Sequence, residues 1–301
     1  MRSVCIGVDV GGTNLRLALV DREGGVVGRL HECTDVDSGV ASFLTRLQAA
    51  VERLKREAEV MGRRVTAVGI GLPGLISNDG VVRSCVNFSA LDGVNLSRVV
   101  SEGVALPVLA LNDANACAIG EQRFGAGRGF RSSLTLTIGT GIGAGLILDG
   151  RLWTGADGVA GEFGHITVEP DGRPCGCGNR GCVEQYASAS ALSPQRGGAA
   201  AVALRARAGD RDAAALFEKA GSYLGIAAAG VLNLLNLEAI ILGGGVAESF
   251  DLLAAPMRRE ILARSFAIPG ARAKILKGAL GDDAGVLGAA ALAFDAPPPH
   301  Y

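Results

Sequence analysis

Two stretches of this chain follow one plan. Residues 3–10 (SVCIGVDV) predict a buried strand that ends in Gly11-Gly12-Thr13, with a second strand at 15–20 and an Asp-containing hairpin turn at 21–25 into an apolar run at 26–30. Residues 134–138 predict another strand, ending in Gly139-Thr140-Gly141-Ile142-Gly143, then a strand at 144–148 and a turn at Asp149-Gly150. A unit that recurs at so long a spacing restricts the chain to two similar α/β halves. A tight Gly/Thr turn between antiparallel strands offers backbone N–H groups and a hydroxyl to phosphate oxygens, because glycine lets the main chain approach closely. One such hairpin is commonplace. Two in matching places can grip a triphosphate from both sides.

Between and after the repeats the periodicity alternates. Phe43, Leu44, Leu47, Val51, Leu54 and Ala58 stand at helical spacing within 42–60. A strand at 65–70 runs into GLPG (71–74), and a strand at 107–111 leads into a helix over 112–122. The segment 76–106 is turn-rich and yields no clear element. Helices are predicted at 199–208, 213–233, 250–263 and 284–294, with a helical region beginning at 183 and strands at 237–242 and 274–276. The strand at 237–242 enters Gly243-Gly244-Gly245. That turn reads equally as a strand-to-helix connection needing positive φ or as a platform for a nucleotide's base and ribose.

At 301 residues the chain has room for two domains of ordinary size. Its formal net charge of −1 provides no basic surface of the kind nucleic acid demands. The apolar run at 4–10 has neither a separate signal-peptide core nor a small-residue cleavage site, so no export signal is expected. The longest apolar stretch, 223–242, is broken by Asn233, Asn236 and Glu238 and reads as a helix and a strand rather than a membrane span. Seven cysteines without an export signal fit a reducing cytoplasm.

Residues 161–184 read GEFGHITVEPDGRPCGCGNRGCVE. Cys175, Cys177 and Cys182 with His165 upstream form the ligand set of a closed tetrahedral zinc site, and glycines let so short a loop fold back on itself. The alternatives are one disulfide with a spare thiol, or three small buried residues. Cys175 and Cys177 are too close in sequence to pair easily. Cys5, Cys33, Cys85 and Cys117 lie scattered in apolar segments and read as buried small hydrophobes.

With these pieces placed, the sequence resembles the ROK family of sugar kinases in the actin-like ATPase superfamily, most of all its bacterial glucokinases. The resemblance spans nearly the whole chain and rests on DVGGTNLR (9–16), GLPG (71–74), LNDANACAIGE (111–121), TIGTGIGAGLILDGRL (137–152), GADGVAGEFGHI (155–166), CGCGNRGCVE (175–184) and LGGGVA (242–247). It implies two RNase H-like, actin-like α/β domains around a central cleft, with a zinc-binding loop at 165–182. The expected division is 1–111 plus 284–301 for the smaller domain and 112–283 for the larger.

The resemblance also implies roles. Asp113 would accept the proton of the attacking sugar hydroxyl, and Asn112 would contact a sugar hydroxyl. Gly74, Asn87, Glu162, His165 and Glu184 would complete the sugar site, His165 binding zinc through its other nitrogen alongside Cys175, Cys177 and Cys182. Asp9 would lie near Mg²⁺; Gly11, Gly12, Thr13, Thr140 and Gly141 would hold the phosphates of ATP, and Gly244 and Gly245 the adenosine. Read from the residues alone, Asn112 or Asp113 is also a natural helix N-cap, and Glu184 a first-turn glutamate favoured by the helix dipole.

The expected activity is ATP-dependent phosphorylation of the 6-hydroxyl of glucose by a cytoplasmic homodimer or homotetramer. Alternatives are a kinase for N-acetylmannosamine, N-acetylglucosamine, fructose or allose, or a non-catalytic sugar sensor. Two features depart from the family. Phe88-Ser89-Ala90-Leu91 replaces an aromatic wall often present after the residue matched by Asn87, which bears on sugar preference. The first strand begins at residue 3, leaving no expected room for the N-terminal helix-turn-helix of the family's repressors.

Overall fold

The apolar run that opens the chain becomes β1 (Arg2–Val10), buried along most of its length, as a strand covered on both faces must be. The chain turns back through β2 (Asn14–Val20) and β3 (Val26–Cys33), then enters α1 (Val40–Val60), β4 (Arg63–Leu72), the short β5 (Leu75–Ile76) and β6 (Val82–Ser84), α2 (Leu96–Val104), β7 (Val108–Asn112) and α3 (Asp113–Phe124). The first sheet runs β3-β2-β1-β4-β7, antiparallel over the first three strands and parallel from β1 onward. This computed structural model describes residues 2–85, 88–193 and 197–296.

The plan then repeats. Strands β8 (Ser133–Ile138), β9 (Ile142–Leu148) and β10 (Arg151–Trp153) are followed by α4 (Glu184–Ala187), α5 (Ala189–Leu192), α6 (Gly198–Arg207), α7 (Arg211–Leu235), β11 (Ala239–Gly243), α8 (Phe250–Arg264), α9 (Ala267–Arg272), β12 (Lys274–Lys277) and α10 (Ala284–Ala293). The second sheet runs β10-β9-β8-β11-β12, with β8 antiparallel to β9 and parallel to β11, and β11 parallel to β12. Each half thus has the same strand order, as the repeat foretold, in the RNase H-like arrangement that the family resemblance implied.

Contacts divide the chain into two units. One extends from the N-terminus through Arg128 and adds Leu152–Ala160 and the chain from Asp282 onward; the other comprises Gly129–Arg151 and Gly161–Gly281. The boundary falls after α3, where the sequence reading set it before residue 112. Helix α3 stays with the first unit because it packs on α10, burying Ala116 and Ile119 with Ala289 and Ala291.

Helix α10 reads AGVLGAAALA and is buried on nearly every side, the place for a helix apolar all round. Its neighbours meet it with glycine. A Cβ on Gly7 of β1 would lie 1.9 Å from the Val286 carbonyl oxygen, and one on Gly69 of β4 1.9 Å from that of Ala289. From the other side, a Cβ on Gly288 would lie 1.7 Å from the Ala116 carbonyl oxygen of α3. Small residues here let backbones touch. The opposite face of this sheet is covered by α1 through Phe43, Leu47, Val51 and Leu54, all essentially inaccessible.

The structure adds elements that the sequence pattern concealed. Helix α2 lies in the turn-rich stretch, capped by the Asn95 side chain accepting from the Arg98 N–H and buried through Leu96, Val100 and Val104. Strand β10 and helix α9 are too short to show a period. Among the described residues no helix is long and apolar enough to cross a membrane, and all seven cysteines are free thiols.

Candidate active site

In the first unit the candidate residues gather where β1, β4 and β7 end. Gly11 donates its N–H to the Asn14 carbonyl at 2.8 Å, closing the β1–β2 hairpin. The fully buried Thr34, just after β3, grips that turn twice: its hydroxyl donates to the Gly11 carbonyl at 2.6 Å, and its N–H to the Thr13 carbonyl at 2.9 Å. Sequence reading missed Thr34; no motif marks it, and only strand register brings it to the hairpin. Gly12 has open space where a Cβ would stand, so neither its fold nor its packing requires glycine there.

Asp9 lies near the end of β1, opposite Arg16 in the β1–β2 register. Burial, and next the charge of Asp113, push its carboxyl up to about 6, with Arg16 pulling the other way. A Cβ on Gly285 would stand 3.2 Å from the Asp9 carboxyl carbon, so the first turn of α10 also presses close.

Asp113 is the first residue of α3, and Asn112 is its cap. The Asn112 Oδ1 accepts from the N–H groups of Ala114 (2.9 Å) and Asn115 (3.1 Å), while its Nδ2 donates to the Gly74 carbonyl at 3.0 Å. Of the two cap candidates, Asn112 carries the helix end. The Asp113 Oδ1 accepts from the Ala114 N–H at 2.9 Å, yet burial raises its carboxyl above the ordinary aspartate range. Gly74 has φ of 124°, and a Cβ there would lie 2.2 Å from the Ser84 carbonyl oxygen. Its glycine is explained by the turn. Asn87 lies outside the described residues; Phe88, which follows it, is buried edge-on against Phe43 with ring centroids 5.3 Å apart.

In the second unit the β8–β9 hairpin is closed by the Gly139 N–H donating to the Gly141 carbonyl at 2.9 Å. Glu184, at the start of α4, reaches it: Oε2 accepts from the Ile142 N–H at 2.9 Å, and a Cβ on Gly141 would lie 2.5 Å from that oxygen. Gly244 adopts φ of 79°, and a Cβ there would be 2.6 Å from the Ile138 carbonyl oxygen. Glycine is demanded there by packing on β8. Gly245, beside it, has open space at its Cβ position.

The cysteine loop closes as expected. The ligand atoms of His165, Cys175, Cys177 and Cys182 all lie within 4.8 Å of one another. The Cys177 and Cys182 sulfurs are 3.7 Å apart, and the Cys175 sulfur is 3.6 Å from His165 Nδ1. A tetrahedral zinc ion, with bonds of about 2.3 Å to sulfur and 2.05 Å to nitrogen, would have edges of about 3.8 and 3.6 Å. The donor set fits that ion in kind and in spacing. Gln185 donates from Nε2 to the Cys175 sulfur at 3.4 Å, an outer contact of the sort that orients a ligand; sequence reading missed it. Burial pushes the Cys182 thiol up to about 12, whereas the Asn179 backbone N–H lowers that of the exposed Cys177. The exposed Glu162 places Oε2 3.7 Å from His165 Nε2, on the ring edge away from the sulfurs.

The ROK family profile matches residues 5–296, and the chain belongs to the ROK family. A glucokinase of Thermotoga maritima is 34% identical, over 95% of this chain and 96% of its own. Among solved structures, a ROK hexokinase of Thermus thermophilus is 33% identical with a TM-score of 0.84, over 97% of this chain and 98% of its own. A ROK glucokinase of Streptomyces griseus, in complex with glucose and AMPPNP, is 34% identical with a TM-score of 0.80, over 97% of this chain and 99% of its own.

Proposed function

We propose that this chain is an ATP-dependent glucokinase, transferring the γ-phosphoryl group of ATP to the 6-hydroxyl of glucose. The observation that carries the chemistry is Asp113: a half-buried carboxylate at a capped helix end, its basicity raised by its surroundings. Full-length relatives carrying the glucokinase name, and a structural neighbour bound to glucose and an ATP analogue, supply the substrates of the reading.

In this reading the sugar 6-oxygen attacks the γ-phosphorus, its proton passes to Asp113, and ADP departs. A carboxylate held out of water is a stronger base than one in solvent, and a base placed at the nucleophile contributes about 10²–10⁴-fold. The remaining rate comes from positioning and from donors around the phosphoryl oxygens. Those donors are N–H groups at Gly12–Thr13 and Thr140–Gly141, in turns that Gly11 and Gly139 close, with the Thr13 and Thr140 hydroxyls, while Gly244 and Gly245 receive the adenosine. Asn112, Glu162, His165 and Glu184 read the sugar hydroxyls, with Gly74 and Asn87 shaping the site. Asp9 would hold Mg²⁺, which neutralises phosphate charge when bound. Zn²⁺ in the Cys/His cluster would serve as a structural pin.

A non-catalytic sugar sensor has no use for a base so placed, so Asp113 disfavours that reading. The seven free thiols suit the cytoplasm, and the family resemblance favours a homodimer or homotetramer, which light scattering would measure. The deciding assay follows ATP consumption by purified protein over glucose, mannose, fructose, allose, N-acetylglucosamine and N-acetylmannosamine. Strong turnover with glucose is the expected result. A different single sugar would reassign the substrate, and turnover with none would remove the kinase reading.

A further inference from the structure

The β8–β9 hairpin is not held by its own bonds alone. A continuous segment, Cys182 to Ser190, touches it at three residues, Gly139, Thr140 and Ile142. The Ala189 N–H donates to the Gly139 carbonyl at 2.8 Å, the Ser190 hydroxyl donates to the Thr140 carbonyl at 2.9 Å, and Glu184 Oε2 accepts from the Ile142 N–H at 2.9 Å. Ser188 fixes the geometry of the second half by capping α5, its hydroxyl oxygen accepting from the Ala191 N–H at 3.2 Å. At its other end the segment begins with a member of the cysteine cluster. Cys182 and Val183 are fully buried, the Val183 N–H donates to the Ile166 carbonyl at 2.9 Å, and Gln185 donates to the Cys175 sulfur.

We propose that residues 182–190 form a brace joining the Cys/His cluster to the phosphate hairpin, with Ser190 and Glu184 as its positioning residues, so that filling the cluster with Zn²⁺ sharpens nucleotide binding. The inference rests on the kinase reading for the identity of the bound phosphates, and its mechanics are those of a short, doubly anchored lever. Hairpin amides can donate to phosphate only if their carbonyls are turned away, and the brace occupies the carbonyls of Gly139 and Thr140. The Glu184 carboxylate has a second oxygen, so one side chain can hold the hairpin while presenting a polar edge of its own. The closeness of Gly141 to Oε2 makes the contact intolerant of any side chain on the turn.

Two measurements test the brace. In the first, Ser190→Ala and Ser190→Thr are compared with the parent in steady-state kinetics. Loss of one neutral hydrogen bond is expected to raise KM for ATP about fivefold with KM for glucose unchanged, and threonine, which keeps the hydroxyl, is expected to restore it. Equal kinetics for parent and alanine variant, or equal damage to both substrates, would overturn the proposal. In the second, amide hydrogen exchange is followed at 139–143 in zinc-loaded and chelator-stripped parent protein. Faster exchange at the hairpin on stripping is expected, and reversal on adding Zn²⁺ alone. Loosening confined to 165–182 would refute the coupling. A parent protein with no ATP turnover would count against the kinase reading instead, and the exchange experiment would still decide the brace.

Discussion

Asn112 carries the capping bonds of α3, and Asp113 therefore begins that helix with its carboxylate held at the first turn, accepting from the Ala114 N–H at 2.9 Å. A side chain that capped the helix itself would have both its orientation and its basicity tied to the helix end. Asp113→Asn keeps the shape and the acceptor for Ala114 while removing the base. It is expected to lower kcat by about 10²–10⁴-fold and leave glucose affinity within a few-fold, as read by calorimetry. Retained turnover in a folded variant would strip Asp113 of its role. Asn112→Ala, by contrast, is expected to cost about 1 kcal/mol of stability from the lost cap, read from thermal unfolding, and to disturb Asp113 indirectly.

Asp9 gives a pH signature. Its carboxyl sits at about 6 in the folded chain against an ordinary 3.8, so the folded state holds an extra proton between those values. Ionising it costs nothing in stability below pH 3.8 and its full amount above about pH 6, so this contribution falls as pH rises through that window. Asp9→Asn is expected to raise the unfolding free energy at pH 7.5 by about 3 kcal/mol at most, with a higher Tm, and to change it little near pH 4. The same substitution is expected to abolish Mg²⁺-dependent turnover. A variant equally stable at both pH values would show that Asp9 ionises without strain.

The cluster at His165, Cys175, Cys177 and Cys182 is expected to hold about one zinc per chain by elemental analysis. Chelation should lower the Tm by roughly 10 °C, and zinc should restore it. Replacing the buried Cys182 by serine should abolish the metal content. Metal-free protein of undiminished stability would end the zinc assignment.

Backbone contact around α10 makes glycine irreplaceable there. Adding one methyl at Gly69, with a carbonyl oxygen 1.9 Å from its place, forces the helix off the sheet. Gly69→Ala is expected to cost about 3 kcal/mol or more in urea unfolding, whereas Gly12→Ala, which meets open space, should leave stability within about 0.5 kcal/mol and impair ATP turnover.

Much of this architecture was legible because its signals are local. The twin strand–turn–strand units announce themselves through continuous apolar runs that end in glycine turns, and the cysteine spacing through ligand chemistry. The residues that escaped notice act across the chain. Thr34 reaches Gly11 only because β3 returns beside β2, and Ser190 reaches Thr140 from half a hundred positions away. Helix α2 hid because its start signal, Asn95, stands amid turn residues. Gly74 and Gly244 matched a ligand pattern, yet positive φ and close packing account for both. Sequence alone could not separate glycine needed by a ligand from glycine needed by the fold.

Helix α10 also sets an order of events during synthesis. The sheet it completes begins at the N-terminus, yet the helix emerges only after all of the second unit has been made. Until then Gly7, Gly69 and the inner face of α3 lack their cover, while the second unit already has every strand and helix it needs. The half begun first is thus finished last. Chains tethered to the ribosome by a linker that brings residues up to 281 out of the exit tunnel but holds 284–293 inside should resist protease in the second unit and yield in the first, and a longer linker that releases α10 should close the difference.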